Sequence, residues 1–367
     1  MSQIIVADNW SLQDISHLLN GGIDAEEEGH FIVINKETRS HDYKNVPRAV
    51  IAFEALFDLM TDFVLRDEIL VDEEYIGAWS KSGGPLMVAV EKGVIKPFRF
   101  LGQPQELSPA RTEFVNRMCV TESLKKEHEQ NVLGWAFNKT TPYRYLSQTL
   151  WGGAGMLARA FVYQAGYTPH PVRKRLFQES GIALRDNDAV MRLNRTINEK
   201  RASIHAVKLG KEDLLSLQVR LPPIPVKIIR ESKSPKDLIK VALQLRTEYA
   251  ELRGWLAEYQ ESLGGDDFAD LQKHQAILRS ISQYVDSLVG KTDSNAPSFT
   301  VGIDVLKIAF KGDPINTLKN QFGVRSMINK LVTTRSGDSE LEKLLGFFGH
   351  RSSSIGLKVL DHFSAFR

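Results

Sequence analysis

The sequence predicts a mainly α fold, with a multi-helix C-terminal two-thirds and a smaller mixed α/β N-terminal portion. Three observations carry this expectation. From residue 108 onward, apolar residues recur mostly at three- and four-residue spacing. The same stretch is punctuated by cap–proline pairs that start helices and glycines that stop them. Short β-branched and aromatic runs, by contrast, gather mainly in the first 101 residues.

In chain order, residues 3–7 and 30–35 read as strands, separated by a helix over 11–19 that stops at Gly21-Gly22. Val46, Val50, Phe53, Leu56, Phe57, Met60, Phe63 and Val64 then mark one apolar face of a long helix starting near Pro47. Residues 68–101 read as short mixed elements. Ser108-Pro109, Thr141-Pro142, Ser234-Pro235 and Asp313-Pro314 each set a capping side chain before proline, with His170-Pro171 as a poorer fifth case. With stops at Gly166, Gly181, Gly264-Gly265 and Gly290, the expected helices run 109–137, 142–165, 171–179, 187–206, 235–263 and 267–289. The last two should form an antiparallel hairpin. A brief alternation at Phe299, Val301, Ile303 and Val305 precedes short C-terminal helices.

A chain of 367 residues exceeds what one hydrophobic core usually serves. Leu221-Pro222-Pro223-Ile224-Pro225 and residues 291–298 are the expected linkers. They divide the chain into an acidic mixed α/β domain (1–101), a basic helical domain (108–220), a helical hairpin (226–290) and a small C-terminal α(+β) region (299–367). The single cysteine, Cys119, excludes an intrachain disulfide framework and fits a reducing compartment. The N-terminus shows no signal-peptide pattern, so a cytoplasmic location is expected. Residues 146–167 approach the length of a membrane span, but Arg159, two glutamines and the small run 152–155 point to a buried core helix.

The net charge of +2 conceals a strong internal asymmetry. Residues 1–75 hold 5 Lys/Arg against 16 Asp/Glu, whereas residues 170–246 hold 17 against 8. Either two parts of the molecule attract each other or each end has its own partner. Arg111, Arg144 and Arg173 each occupy the expected third position of a helix, where the macrodipole disfavours a cation. An acidic partner, a bound anion or solvent could offset that. His170, Arg173, Lys174 and Arg175 lie in an aromatic-and-basic stretch, and Arg192, Arg195, Lys200 and Arg201 extend it along the next expected helix. Such a face would suit nucleic acid or another polyanion, or the acidic N-terminal domain.

Gly152-Gly153-Ala154-Gly155 lacks the lysine and serine or threonine of a phosphate loop, and the small residues suit close helix packing. Glu231-Ser232-Lys233 ends an apolar run in the manner of metal-dependent nucleases, with Asp213 as the upstream carboxylate it would need. No metal-ligand spacing, serine-hydrolase turn or cofactor fingerprint is present, so no catalytic residue, metal ligand or cofactor is expected. Cys119 reads as a buried structural thiol.

The expected function is a non-enzymatic interaction protein, a sensor, adaptor or subunit of a larger cytosolic assembly. A bacterial setting is expected, with a defence complex among the candidates. A protein partner or self-association is anticipated, with nucleic-acid or polyanion binding through 170–211 as the alternative and a metal-dependent nuclease as the second.

Overall fold

The computed structural model describes residues 4–22, 27–35, 37–80, 84–99, 104–131, 143–163, 165–180, 224–250, 337–351 and 353–364. Its organising element corrects the expected mainly α class. Strands β1 (Ile4–Ala7), β4 (Glu68–Asp72), β5 (Ile95–Phe98) and β6 (Gly166–Thr168) form a parallel sheet in the order β5-β4-β1-β6, which makes the described fold α/β. The registers set Ile5 beside Ile69 and Gly166, and Leu70 beside Lys96. β2 (Glu28–Asn35) and β3 (Ser40–Pro47) form a separate antiparallel hairpin.

Successive strand residues point to opposite faces, and here both faces are covered. Ile5, Ala7, Ile69, Val71 and Ile95 pack into one core. Its helices include α1 (Asn9–Leu19), α2 (Arg48–Leu65), α3 (Ile76–Ser80) and α4 (Met87–Glu91). Val6, Leu70 and Tyr167 pack into a second core beneath α5 (Pro104–Met118), α6 (Glu122–Asn131), α7 (Tyr143–Ser147) and α8 (Gly153–Val162). α9 (Pro171–Glu179) gives Val172 to the first core and Leu176 and Phe177 to the second. β1 and most of β4 are buried on both sides, and β5 and β6 are only four and three residues long. Their period-2 signal is therefore lost in short apolar runs that resemble helix core.

The N-terminal expectations for β1, α1, β2 and α2 match the structure, although Val46 belongs to β3 rather than to α2. α5 begins at Pro104 and carries Pro109 inside it. Its missing N–H leaves the Gln105 carbonyl without the usual i+4 donor. The expected 109–137 helix is interrupted at Cys119-Val120. It restarts as α6 at Thr121, whose Oγ1 accepts the Leu124 N–H at 3.2 Å. The expected 142–165 helix appears as α7, a π-helical turn (Gln148–Gly152) and α8, and it gives way to strand β6. No helix among the described residues is long and apolar enough to cross a membrane.

Further along, α10 (Ile224–Glu231) and α11 (Pro235–Glu248) lie against the α2 side of the sheet, as do α12 (Gly337–Phe347) and α13 (Ser354–Ser364). The Arg246 guanidinium of α11 donates to the carbonyls of Phe63, Arg66 and Asp67, capping the C-terminal end of α2. The expected helices 187–206 and 267–289, the linker 291–298 and the alternation 299–305 lie outside the described residues.

A sheet covered on both faces makes a specific demand on β1. Ile5→Ala and Val6→Ala should each destabilise by about 1–4 kcal/mol, since neighbouring side chains sit in separate cores. Urea unfolding of the two variants checks this; a sheet with one wet face would tolerate one of them.

Candidate functional site

The chain lays β1, β4 and β5 successively to one side, then returns to place β6 on the other side of β1. The chain leaves β1 into α1 and leaves β6 into α9. The crevice beyond their carboxyl ends is the topological switch point at which open α/β sheets bind ligands. Asp8 follows β1 directly, and Pro169 and His170 follow β6.

Asp8 is fully buried and its carboxylate is densely coordinated. It caps α1 by accepting the Trp10 N–H at 2.9 Å. It also accepts the Tyr167 hydroxyl at 2.5 Å and the His170 N–H at 3.0 Å. Arg173 Nη1 donates to both carboxylate oxygens at 2.7 Å. Burial alone would raise the Asp8 pKa, but Arg173 foremost, with His170 and Tyr167, holds the carboxyl below its usual range. The Tyr167 hydroxyl is driven well above its usual value by burial and by the Asp8 charge.

A second buried acid extends the network. Asp14 of α1 lies 3.1 Å from His170 Nε2 and accepts Arg48 Nη2 at 2.8 Å. Its burial is likewise outweighed, by His170 and then Arg48, so its pKa is lowered. The His170 ring stacks on Trp10, with centroids 4.0 Å apart and planes 6° from parallel. Arg48 also reaches Glu27 at 2.5 Å.

Five of the sequence-predicted cations can be placed by their side chains. Arg173 is the third residue of α9, and Asp8 offsets the unfavourable dipole there. His170 meets Asp14. Lys174 Nζ lies 2.8 Å from Asp58 Oδ2, and burial of its ammonium is outweighed by Asp58 and Glu54, so its pKa is raised. The Arg175 guanidinium rests 4.5 Å over the Phe31 ring.

Arg111 lies well inside α5, so the dipole argument for it lapses with the corrected helix start. Its guanidinium stacks 3.8 Å over Trp151 and donates twice to the Trp151 carbonyl. Burial, followed by the neighbouring Arg159, brings its pKa down to about 10. Arg144 falls within α7. Arg192, Arg195, Lys200 and Arg201 lie outside the described residues.

The small run at 152–155 admits arginines rather than phosphate. A Cβ on Gly152 would meet Arg173 Nη2 at 2.5 Å, and one on Gly153 would meet Phe177 at 3.2 Å and the Arg173 stem at 3.3 Å. Gly155 makes the same room for Arg111, 3.0 Å from its Nη2. α9 and α5 therefore approach the α7–α8 segment closely at these positions.

Of the nuclease-like residues, Glu231 ends helix α10, 3.8 Å from Lys227 Nζ, and the apolar run before it is helical. Asp213 lies outside the described residues. Among the described residues, no three of His, Cys, Asp and Glu converge in a metal-binding arrangement. The Cys119 thiol is pushed up to about 11, chiefly by burial, which disfavours the reactive thiolate.

Sequence reasoning missed Asp8, Trp10, Asp14, Arg48 and Tyr167. The available signal was the aspartate that ends the apolar run of β1 and immediately precedes a helical pattern. No protein-family model, curated protein or solved structure matched the chain.

Asp8→Asn keeps a helix-capping side chain but removes the charge that Arg173 faces. It should cost about 3–5 kcal/mol in urea unfolding at neutral pH, with Arg173→Met added to it recovering part of the loss. Both acids have folded pKa values below their unfolded ones. Their contribution is therefore complete above the ordinary carboxylate value of about 4 and is lost as pH falls through the lower folded values. Unfolding measured below about pH 4 should accordingly show a shallower loss in Asp8→Asn than in the native chain.

Proposed function

We infer that this protein acts by binding another protein, as a sensor, adaptor or subunit of a cytoplasmic assembly. The observation that carries the reading is the internal use of its charge. Cations at 170–175 that would grip a polyanion face Asp8, Asp14, Asp58 and the ring of Phe31 instead. Groups that could perform acid–base chemistry at the switch point are likewise buried against one another, so substrate has no route to them without breaking the network. Cations neutralised internally in this way lend little long-range field with which to collect nucleic acid. The thiol character of Cys119 is in keeping with a reducing cytoplasm.

Capture of the full-length chain from native extract, followed by size-exclusion chromatography with light scattering, tests this reading. The expected product is a stoichiometric assembly heavier than the 41.3 kDa monomer that survives nuclease treatment and high salt. Loss of the assembly on nuclease treatment would favour polyanion binding through the 170–211 region. Degradation of added DNA or RNA with Mg²⁺ or Mn²⁺, abolished by Glu231→Gln, would favour the nuclease reading.

A further inference from the structure

The hairpin β2–β3 is fastened to the first turns of α6 by side chains that take no part in the switch-point network. His41 of β3 lies between two residues of α6: its Nδ1 is 2.9 Å from Ser123 Oγ, and its Nε2 is 2.5 Å from Glu127 Oε2. Ser123 and Glu127 are four residues apart, so they share one helix face and reach the same imidazole from two sides. The other Glu127 oxygen accepts the Tyr43 hydroxyl at 2.7 Å.

An ionised carboxylate only accepts hydrogen bonds, so the ring proton sits on Nε2 and points at Glu127. In the neutral imidazole the Nδ1 lone pair is left to accept from the Ser123 hydroxyl, which also lies 3.1 Å from Thr121 Oγ1. This is the polarity that a serine nucleophile requires: a base on the hydroxyl proton, and a carboxylate behind the base to hold its tautomer and balance the imidazolium. The two ring nitrogens exchange roles relative to the chymotrypsin arrangement, but the relay of groups is the same.

The surroundings provide access and a place for charge. Ser123 and Glu127 are partly exposed, whereas the His41 side chain is only 6% exposed. A cleft of about 540 Å³ lies nearby, lined by Ile34, Arg39, Val120, Thr121 and Glu122 among others but by none of these three residues. Ile34 pairs with His41 across the hairpin, and Thr121 Oγ1 lies 3.1 Å from Ser123 Oγ, so two residues of the cleft lining neighbour the pair. Ser123 also occupies the first turn of α6, where the positive end of the helix dipole favours negative charge on a reacting oxygen.

We propose that Ser123, His41 and Glu127 form an acyl-transfer site for small carboxylic esters, the apolar acyl group resting on Ile34 and Val120. Ser123 Oγ bonds to the ester carbonyl carbon as its proton passes to His41 Nδ1. Collapse of the tetrahedral adduct breaks the bond to the leaving oxygen, which takes that proton and departs as the alcohol. Water, deprotonated by His41, then attacks the acyl-serine, releases the carboxylic acid and restores the hydroxyl. Ser123 and His41 are the catalytic residues, and Glu127 is a positioning residue. This property is separate from the binding role, and its failure would leave that role standing.

The test exposes the full-length protein to a fluorophosphonate probe, locates the adduct by peptide mass spectrometry and follows hydrolysis of p-nitrophenyl butyrate. The expected result is one adduct, on Ser123, absent in Ser123→Ala, with ester hydrolysis lost in the same variant. His41→Gln should slow labelling by at least about tenfold. Glu127→Gln should slow it too, with partial rescue by Glu127→Asp, a ranking that a purely structural hydrogen bond would not impose on a labelling rate. Absence of a Ser123 adduct in the folded native chain overturns the proposal. So does equal labelling of the native chain and a His41→Gln protein of native circular dichroism. Should His41→Gln fail to fold, the adduct position in the native chain and the Glu127 series decide the matter.

Discussion

Taking a carboxylate and a guanidinium out of water costs several kcal/mol for each ion. Their attraction offsets that only when the geometry is good and the remaining hydrogen-bonding capacity is met. Asp8 and Arg173 satisfy both conditions, and the local architecture follows from it. The carboxylate must lie at the end of β1 to cap α1, so β6 must run beside β1 to bring the Tyr167 hydroxyl and the His170 N–H to it. α9 must then start immediately, so that its third residue delivers the guanidinium. The second side of that guanidinium is satisfied by the Gln148 carbonyl in the π-helical turn, with its Nε 3.0 Å away. Gly152 and Gly153 leave room for the side chain to pass. Sheet order, two helix starts, a helix irregularity and a pair of glycines thus answer to one ion pair.

The position of this pair bears on what the fold is used for. A doubly wound sheet normally keeps the crevice at its switch point open, because diverging loops leave backbone donors there for a ligand. In this chain the crevice is filled by its own side chains, with Trp10 stacked on His170 and the two acids paired with His170, Arg48 and Arg173. A ligand would have to displace interactions whose rupture leaves bare charges in a dry interior. Here the usual binding position has become the fastening between the first and sixth strands. The proposed acyl-transfer site lies away from it, where the hairpin and α6 meet.

Much of the N-terminal region was legible in the sequence, because long or one-sided elements advertise themselves. The apolar stripe of α2, the run of β2 and the Pro171 start of α9 all depend on local chemistry, and all three elements form where that chemistry puts them. The packing use of Gly152, Gly153 and Gly155 was legible for the same reason. The parallel sheet was not, since β4 is buried at nearly every position, β5 is four residues with Lys96 and Pro97 exposed, and β6 is three residues between a helix and Pro169. Ser108-Pro109 misled because the helix already begins five residues earlier, at Pro104, and Thr121 carried a helix restart hidden inside a continuous apolar pattern. The site was missed for a different reason. Its members are up to 165 residues apart, and a single aspartate after an apolar run acquires meaning only when β6 lies beside it.

The charge asymmetry visible in the sequence takes on a mechanical sense in this light. An excess of acids in the first 75 residues repels itself and opposes compaction of that segment alone. Arg48 and Arg66 relieve part of it within the segment, Lys96 and Arg159 part from beyond it, and α9, which follows β6, adds Arg173 and Lys174. Lys174 reaches Asp58 on α2 across 116 residues while Arg173 reaches Asp8 across 165. Closing loops of that length has an entropic cost that only the assembled core offsets. Without α9, Asp8 would have to stay in water or be buried without its counter-ion. Either outcome removes the cap of α1 from its place at the end of β1. Within the described residues, His170, Arg173 and Lys174 of the basic pole thus join the acidic pole internally.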